Sequence, residues 1–246
     1  MDVVTPKVAL CSIFRDSEKS GDLQSYMRQV EALDWPRECL RLYLEEGDST
    51  DGTFQHLSAW LANTHLGVVW KQDTGAPKYA SVEDEARFMH LDTIATRCRQ
   101  RAIDDRWADY IWWLESDLLW EPDLLQRLIA HGVDVVAPWI LANALAGGER
   151  EVEKLWALPR EVRWFYDTWA YRALPNGFKF AQTVYRPKEL FEVWSAGSCL
   201  LMTMKAAQAS NQVTGGAVVG WCNMARARGF HVWVDPDTVV WHPGPK

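Results

Sequence analysis

The stretch Tyr110–Pro122, YIWWLESDLLWEP, constrains the fold more than any other part of the sequence. An apolar run ends abruptly in Glu115-Ser116-Asp117, and such a run is typical of a strand buried on both faces of a sheet. Carboxylates at the mouth of a buried strand are costly to desolvate unless a cation or hydrogen-bond donors meet them. The acid-Ser-Asp triplet is therefore a candidate clamp for a metal ion and a diphosphate.

Strands and helices alternate in the pattern of the sequence as far as residue 140. The predicted strands are Val8–Phe14, Leu40–Leu44, Val68–Trp70, Tyr110–Leu114 and Val133–Ile140, and the predicted helices are Ser20–Leu33, Thr53–Leu61, Glu83–Arg106 and Pro122–Ala130. This alternation predicts an α/β fold with a mostly parallel, doubly wound sheet and helices on both faces. Ligands bind such sheets outside the carboxyl ends of the strands, and Glu46, Asp48, Glu115 and Asp117 are expected there.

The pattern becomes irregular after Ala142. We expect a single domain with a nucleotide-binding half (residues 1–142), an irregular segment (143–188) and a second half (189–246). Regular structure is expected again at Val193–Thr203, in a helix over Val219–Arg228, and in two short strands, Val232–Val234 and Val239–Trp241.

Composition narrows the class of protein. The 246 residues are 48% hydrophobic and 24% charged, which is normal for a globular domain. The net charge of −7 gives no overall nucleic-acid-binding surface but leaves room for a local basic patch. The five cysteines are widely spaced without a C-x-x-C pair, which indicates reduced thiols. The N-terminus has no leader pattern and no apolar run has membrane-spanning length, so we expect a soluble, cytoplasmic protein that acts without a membrane, in the host cytoplasm if a phage encodes it.

A histidine near the end of the chain is the expected partner of the acidic triplet. His242 follows a short apolar strand in VVWHPG. An imidazole beside a carboxylate favours manganese, with magnesium as the alternative, and Asp117 is the expected direct ligand. Glu115 would hold the ribose or a metal-bound water. The structural alternative is that Asp117 caps a helix and His242 is an ordinary turn residue.

The loop Glu45–Thr53, EEGDSTDGT, follows a predicted strand and precedes a predicted helix. Backbone N–H groups and short acids in this position suit a nucleoside. Its glycine spacing does not match a phosphate-binding loop, and a plain turn with a helix cap is the alternative.

Together these motifs resemble the GT-A glycosyltransferases over roughly residues 7–244. In motif the chain is most similar to the fungal Anp-type α-mannosyltransferases, whose acidic strand resembles YIWWLESDLLWEPDLLQRLI and whose late segment resembles Trp194–Leu201, WSAGSCLL. It also resembles phage glycosyltransferases. The resemblance implies a metal-dependent transfer of sugar from a UDP- or GDP-linked donor to a hydroxyl group.

The resemblance also implies roles for single residues. The donor-binding positions are Ser12, Arg15, Glu46, Asp48, Arg97, Glu115 and Ser116. Glu46 matches the acid that binds the base, with Asp48 as the alternative, and Arg97 matches a position that faces the donor phosphates. Asp117 and His242 match the metal ligands.

One departure from the family concerns the catalytic base. Inverting relatives carry an acid at the start of the late helix, where this chain has Ala217-Val218-Val219. An inverting reaction needs a base within reach of the acceptor hydroxyl, whereas in a retaining reaction the leaving phosphate accepts the proton. The sequence therefore favours retention, with an acid of the irregular segment as the alternative base.

Residues 154–188 are rich in basic and aromatic residues and form the expected acceptor segment. Positive charge follows phosphates and aromatic rings stack on bases, so the segment suits DNA with a hydroxylated pyrimidine as acceptor. The alternative is a lid or loop that binds a glycan or a small polar acceptor. The expected acceptor residues are Trp164, Trp169, Tyr171 and Trp194.

Two other classes of protein share part of this pattern. A nucleotidyltransferase would carry a glycine-rich loop after the first strand, where this chain reads SIFRDSE. A non-catalytic glycan- or nucleic-acid-binding protein is also rich in tryptophan, but it has no need of Asp117 together with His242.

Overall fold

The structure is a computed structural model that describes residues 5–79, 84–142, 188–214 and 216–242. The strands are β1 (Val8–Phe14), β2 (Leu40–Glu46), β3 (Gly67–Lys71), β4 (Tyr110–Leu114), β5 (Leu119–Trp120), β6 (Val135–Ala142), β7 (Phe191–Val193), β8 (Cys199–Thr203) and β9 (Val232–His242). The helices are α1 (Ser17–Ser20), α2 (Asp22–Glu31), α3 (Thr53–Thr64), α4 (Glu85–Asp105), α5 (Leu124–Ala130), α6 (Met204–Ser210) and α7 (Ala217–Ala227), with a 3₁₀ turn at Arg37–Cys39.

The described strands form one sheet in the order β3-β2-β1-β4-β8-β6-β9-β5, and β7 pairs with β9. Strands β1 to β4 are mutually parallel where they pair, and β6 is parallel to β9. The sheet is mixed because β8 runs antiparallel between β4 and β6. The predicted α/β class is confirmed.

Parallel pairing brings several strand ends to one edge of the sheet. Strand β6 runs in the same direction as β4, because both are antiparallel to β8. The last residues of β1, β2, β4 and β9 therefore meet at what we call the carboxyl edge: Phe14, Glu46, Leu114 and His242. The strand order changes direction between β1 and β4, which is where open sheets of this kind form a ligand crevice.

The strands that end at this edge are packed in the hydrophobic core through their apolar side chains. Trp112 and Trp113 of β4 are 0% and 2% exposed. Neighbouring residues of β1 meet different helices, since the Ser12 hydroxyl lies 2.8 Å from that of Tyr26 in α2, and Cys11 contacts Cys98 in α4. Helices thus cover both faces of β1, as a doubly wound sheet requires.

Strand β9 corrects the prediction of two separate strands at Val232–Val234 and Val239–Trp241. It is continuous, and its register against β6 shifts between Asp235 and Val239. The extra residues are held by Asp235, which accepts hydrogen bonds from Thr238 Oγ1 and from the Asp237 backbone N–H and lies 2.9 Å from His131 Nε2. Burial opposes the charge, but these hydrogen bonds hold the pKa of the Asp235 carboxyl below its usual value.

Other boundaries differ from the prediction by a few residues. Strand β2 continues to Glu46, so that residue is the end of a strand and not part of the loop. Within the described part of the chain, we find no helix that combines the length and the apolar character needed to cross a bilayer. The cytoplasmic location stays a prediction.

Candidate metal and nucleotide site

Three ligand-type side chains converge at the carboxyl edge. Glu115, Asp117 and His242 each present one ligand atom, and these atoms all lie within 4.8 Å of one another. The His242 Nε2 atom is 3.3 Å from Asp117 Oδ2. All three residues are partly buried. Ser116 lies between the two acids in the turn that follows β4 and is also partly buried.

Strand register explains why residues so distant in the chain meet. Strand β5 is antiparallel to β9, and Leu119 pairs with Trp241. In an antiparallel ladder the residue before Leu119 faces the residue after Trp241, which places the β4–β5 turn beside His242. Glu115 is fixed separately, because its backbone N–H donates to the Ser198 carbonyl at 2.8 Å. The turn that carries Glu115 and Asp117 is therefore held at both ends, by the Ser198 carbonyl and by the pairing of β5 with β9.

The donor set fits a divalent cation. Two carboxylates and one imidazole match the oxygen and nitrogen ligands that manganese accepts, and the carboxylates alone suit magnesium. The three residues are only partly buried, so solvent reaches the cluster.

A cavity of about 400 Å³ lies at the same edge, beside the ends of β1 and β2. Its walls come from the end of β1, from the segment 72–79 that follows β3, and from the first turns of α4. The residues used below are Ile13, Arg15, Lys78, Tyr79, His90 and Ile94. Because β1 and β4 are paired neighbours, this cavity and the metal-type cluster lie on adjacent parts of one edge.

Residues 72–79 cross the carboxyl edge, and we call them the strap. Asp48 holds the strap: its Oδ1 accepts from the backbone N–H groups of Thr74 at 2.8 Å and Gly75 at 2.7 Å. Arg15 donates to the carbonyls of Ala76 at 2.9 Å and Pro77 at 3.1 Å. Burial opposes the charge on Asp48, but the hydrogen bonds from Thr74 and Gly75 hold the pKa of this carboxyl below its usual value.

Asp48 was predicted as an alternative base-binding acid. Its side chain is 8% exposed and is engaged with the strap. The structure therefore gives it a role in holding a wall of the cavity. Asp16 also holds the strap, since it accepts a hydrogen bond from Lys78 at 2.7 Å. The bonds from Lys78 and from Thr50 lower the pKa of Asp16 to about 2.

Glu46 and its neighbour Glu45 point to opposite faces of β2. Glu46 is 1% exposed, and its Oε1 accepts from the Ser49 N–H at 3.2 Å. Its buried Oε2 has no hydrogen-bond partner among the described residues. A buried acceptor of this kind is costly unless a donor reaches it, which keeps Glu46 a candidate for ligand binding.

Arg97 was predicted to face donor phosphates. In the structure its guanidinium donates to both oxygens of Glu45, from Nη2 to Oε2 at 2.6 Å and from Nε to Oε2 at 2.8 Å and Oε1 at 3.1 Å. Arg101 Nε donates to Glu45 Oε1 at 2.8 Å. The Arg97 side chain is 28% exposed, so the residue anchors α4 to β2 while part of it remains accessible.

Ser12, which was predicted to line the nucleotide pocket, is not among the residues that line the cavity described above. The residue is fully buried, and its hydroxyl donates to the Leu114 carbonyl at 2.6 Å. The period-2 alternation of β1 turns Ser12 towards α2, whereas Ile13 and Arg15 face the cavity.

Trp194 lies away from the metal-type cluster. Strand β7 pairs with the first residues of β9, whereas His242 is the last residue of that strand. The Trp194 indole donates to Asn223 Oδ1 at 2.7 Å, and the Arg226 guanidinium lies 5.0 Å from its ring centre. The other predicted acceptor residues, Trp164, Trp169 and Tyr171, lie outside the described residues, as does nearly all of the segment 143–188.

Sequence reasoning missed the contribution of the strap and of α4 to the cavity. His90, Ile94 and Arg97 are spaced as one face of a helix, and this spacing could have indicated that they face the same strand ends. Lys78 and Tyr79 carry no such signal, because the segment that contains them has no periodic pattern.

Comparison with solved structures defines the class of fold. The chain superposes on TarS residues 1–349 from S. aureus, in complex with UDP-GlcNAc, with a TM-score of 0.61 at 12% identity, covering 98% of this chain and 59% of that one. It also superposes on the mannosyltransferase PcManGT from Pyrobaculum calidifontis, in complex with GDP-Man and Mn2+, with a TM-score of 0.58 at 14% identity, covering 99% of this chain and 59% of that one. The fold is that of the GT-A glycosyltransferases.

The sequence itself defines the family. Residues 5–149 match the model of the glycosyltransferase family 25 N-terminal domain, and the chain belongs to this family. It is 30% identical over 154 residues to procollagen galactosyltransferase 1-A of Xenopus laevis, covering 56% of this chain and 24% of that protein. It is 29% identical over 144 residues to the human inactive glycosyltransferase 25 family member 3, covering 55% of this chain and 24% of that protein.

The chain thus spans about a quarter of the length of the curated relatives it matches. The predicted similarity to GT-A glycosyltransferases is confirmed. The closer similarity to the fungal mannosyltransferases and to phage enzymes stays a prediction.

Proposed function

We propose that this chain transfers a sugar from a UDP- or GDP-linked donor to a hydroxyl group and depends on a divalent metal ion. The observation that carries the proposal is the meeting of Glu115, Asp117 and His242 at the carboxyl edge. The cluster lies where β4 ends, beside the change of strand order between β1 and β4. In open α/β sheets this is the place where phosphorylated ligands bind.

Asp117 and His242 would hold Mn2+, with Mg2+ as the alternative, and Glu115 would hold the donor ribose or a water on the ion. A divalent ion held by these residues would supply positive charge for the diphosphate that leaves with the nucleotide. The fold of the chain positions these residues. The β5–β9 pairing fixes Asp117 against His242, and the Ser198 carbonyl fixes the backbone of Glu115. Ser116 would face the donor from the same turn.

The comparisons support the donor class. TarS was solved with UDP-GlcNAc and PcManGT with GDP-Man and Mn2+, and both share this fold. A nucleotidyltransferase or a non-catalytic binding protein is the competing class. Some relatives carry the word inactive in their names, so activity has to be tested directly on this chain.

The test is hydrolysis or transfer of labelled UDP- and GDP-sugars with and without manganese. We expect metal-dependent turnover that is lost in Asp117→Ala and His242→Ala. Asp123→Ala is the matched control, because this acid follows the same turn but pairs at 3.9 Å with Arg127 outside the cluster. Metal binding and turnover that survive both cluster substitutions would refute the proposal.

The acceptor is the finer part of the proposal. A hydroxylated pyrimidine in DNA was predicted from residues 154–188, of which 154–187 lie outside the described residues. The similarity to procollagen galactosyltransferase 1-A favours a hydroxyl group on a protein chain as the first acceptor to test. Parallel assays with a procollagen peptide, a glycan and hydroxymethylated duplex DNA separate these acceptors, and unmodified duplex is the control for the last.

Retention of configuration stays a prediction. The first turn of α7 carries no acid, and this sequence feature is the reason for favouring retention. The loop before α7 is held by Asp92, a fully buried residue that accepts from the Thr214 N–H at 2.6 Å and is therefore engaged in structure. Proton NMR of the first-formed product distinguishes the two anomers, and an inverted product would refute retention.

A further inference from the structure

We propose that this chain forms a symmetric dimer in which β3 pairs, antiparallel, with β3 of a second copy. The inference concerns an edge of the sheet three strands away from β4 and goes beyond the proposed function. Strand β3 is the end of the strand order, and within the described part of the chain it pairs with β2 alone. The occupant of this edge is a second copy because the edge is complementary to itself.

The register of β3 identifies the backbone groups that it turns outward. At the start of its ladder with β2, the Leu42 N–H donates to the Leu66 carbonyl at 2.9 Å. At the end of the ladder, the Gln72 N–H donates to the Glu46 carbonyl at 2.8 Å. The register between these bonds is regular, and the C=O and N–H of one trans peptide unit point in opposite directions. The residues whose N–H and C=O groups therefore point away from β2 are Gly67, Val69 and Lys71.

These three residues are arranged symmetrically about Val69. When a second β3 runs antiparallel with the two Val69 residues opposite each other, Gly67 lies opposite the partner's Lys71. All these positions are then hydrogen-bonded pairs, in which two residues exchange their N–H···O bonds. Each outward N–H and C=O group of the two strands thus finds a partner about one twofold axis, as an isologous interface requires.

The side chains of β3 also match those of a second copy. Val68 is 41% exposed, and in this register it lies opposite the partner's Trp70. Directly opposed β-branched and aromatic side chains stabilise a pair of strands. Lys71 is a residue type that protects strand edges through repulsion of like charges. Here it meets the partner's Gly67, so the pairing sets no lysine against another.

Space for an added strand lies on both faces of β3. On the α4 face a cavity of about 800 Å³ is lined by residues that include Val68 and Trp70. On the α3 face a cavity of about 430 Å³ is lined by residues that include Leu61 and Val69. Side chains of an added strand point alternately to the two faces, and such pockets are what strand addition uses. The partner's Val68 would enter the first cavity and the partner's Val69 the second.

Charge beyond the ends of the strand agrees with the same pairing. Continuing the register places His65 opposite the partner's Asp73. The Asp73 side chain is 56% exposed, and His65 is exposed as well. A carboxylate therefore faces an imidazole at each end of the joined strands. Because the two β3 strands are antiparallel, the carboxyl edges of the two copies point in opposite directions, and the joint lies three strands from β4 in each copy.

The first experiment is sedimentation equilibrium of the chain over a wide range of concentration. We expect a species of twice the mass of one chain. Val69→Pro should weaken its formation by at least about tenfold, because both central hydrogen bonds lose their donor. The outward N–H of Val69 makes no bond to β2, so the sheet within one copy is kept. Val69→Thr is the matched control, since it keeps the N–H and the β-branched shape, and it should dimerise like the parent.

The second experiment tests the register by cross-linking with oxidised glutathione. Opposite residues of a hydrogen-bonded pair have Cα atoms about 5.5 Å apart, within disulfide range, so Val69→Cys should give a covalent dimer on a non-reducing gel. Val68→Cys is the matched control, because residue 68 of the partner lies diagonally, roughly 7–8 Å away. The parent chain under the same conditions controls for its five native cysteines.

Three results would overturn the inference. The first is a chain that sediments as a single copy at every concentration, and the second is a dimer that a folded Val69→Pro variant leaves unchanged. The third is equal cross-linking of the two cysteine variants, which decides the question if Val69→Pro does not fold. Sugar transfer is a separate readout: transfer by a single copy leaves the proposed function standing, and a dimer without transfer leaves this inference standing.

Discussion

Replacing Glu45 by glutamine tests the contact that fastens α4 to the sheet. Glu45 is 1% exposed and accepts from Arg97 at 2.6 and 2.8 Å and from Arg101 at 2.8 Å. Glutamine preserves the volume of the side chain but presents an NH₂ group where an oxygen accepted. An arginine N–H then meets another donor inside a buried contact.

The expected cost follows from burial on each side of the pair. Breaking a fully buried ion pair by changing one partner costs roughly 3–5 kcal/mol. The side chains of Arg97 and Arg101 are 28% and 33% exposed, so the contact is not fully sealed from water. We therefore expect Glu45→Gln to lower the free energy of unfolding by about 2–3 kcal/mol.

Urea unfolding followed by tryptophan fluorescence measures this change. With a slope of about 2–3 kcal/mol per molar urea, the midpoint should fall by about 1 M. Glu38→Gln is the control, since Glu38 is exposed, and it should stay within about 0.5 kcal/mol of the parent. A Glu45→Gln midpoint equal to that of the control would refute the energetic role assigned to this pair.

Two further predictions concern charge and packing. Asp16 has a pKa lowered to about 2, mainly by Lys78, so it contributes stability above the ordinary carboxyl pKa of about 4 and loses it as pH falls through 2. Acid titration should therefore destabilise Asp16→Asn less than the parent between about pH 4 and 2, and equal slopes would contradict this. Gly220→Ala should lower the melting temperature although alanine favours helices, because its Cβ would lie 1.6 Å from Thr214 Oγ1, and overpacking costs about 1–3 kcal/mol. Gly216→Ala is its control, with its nearest contact at 3.7 Å, and equal melting temperatures would show that Thr214 moves aside freely.

The sequence was sufficient for the local part of the fold. Strand β4 was predicted with its observed bounds, Tyr110–Leu114, because apolar runs that end in acids leave few alternatives. Helix α4 was predicted within two residues at its start. Strand β8 was harder, since its antiparallel insertion between β4 and β6 depends on pairing with residues far away in the chain.

For the candidate site residues too, the local sequence pattern identifies the residue, whereas contacts with distant parts of the chain decide where its side chain lies. Ser12 and Arg15 are three positions apart, and only the alternation of β1 and the departure of the chain after Phe14 decide that Ser12 is buried beneath α2 while Arg15 faces the cavity. The same is true of the adjacent acids Glu45 and Glu46 in β2. Charge and spacing mark such residues as candidates, but they do not say which face each one will occupy.

The pairing of Asp117 with His242 shows what the prediction needed beyond residue type. The motif placed both residues at strand ends, but their contact at 3.3 Å depends on the register in which Leu119 pairs with Trp241. A slip of one residue in that ladder would turn the side chains of β5 to the other face and separate the two ligands. The bulge held by Asp235 lies between the start of β9 and His242, and it shifts the register of β9 against β6 on its other side. The metal-type cluster is therefore a product of sheet pairing, in which the acidic motif supplies the ligands and β9 determines their geometry.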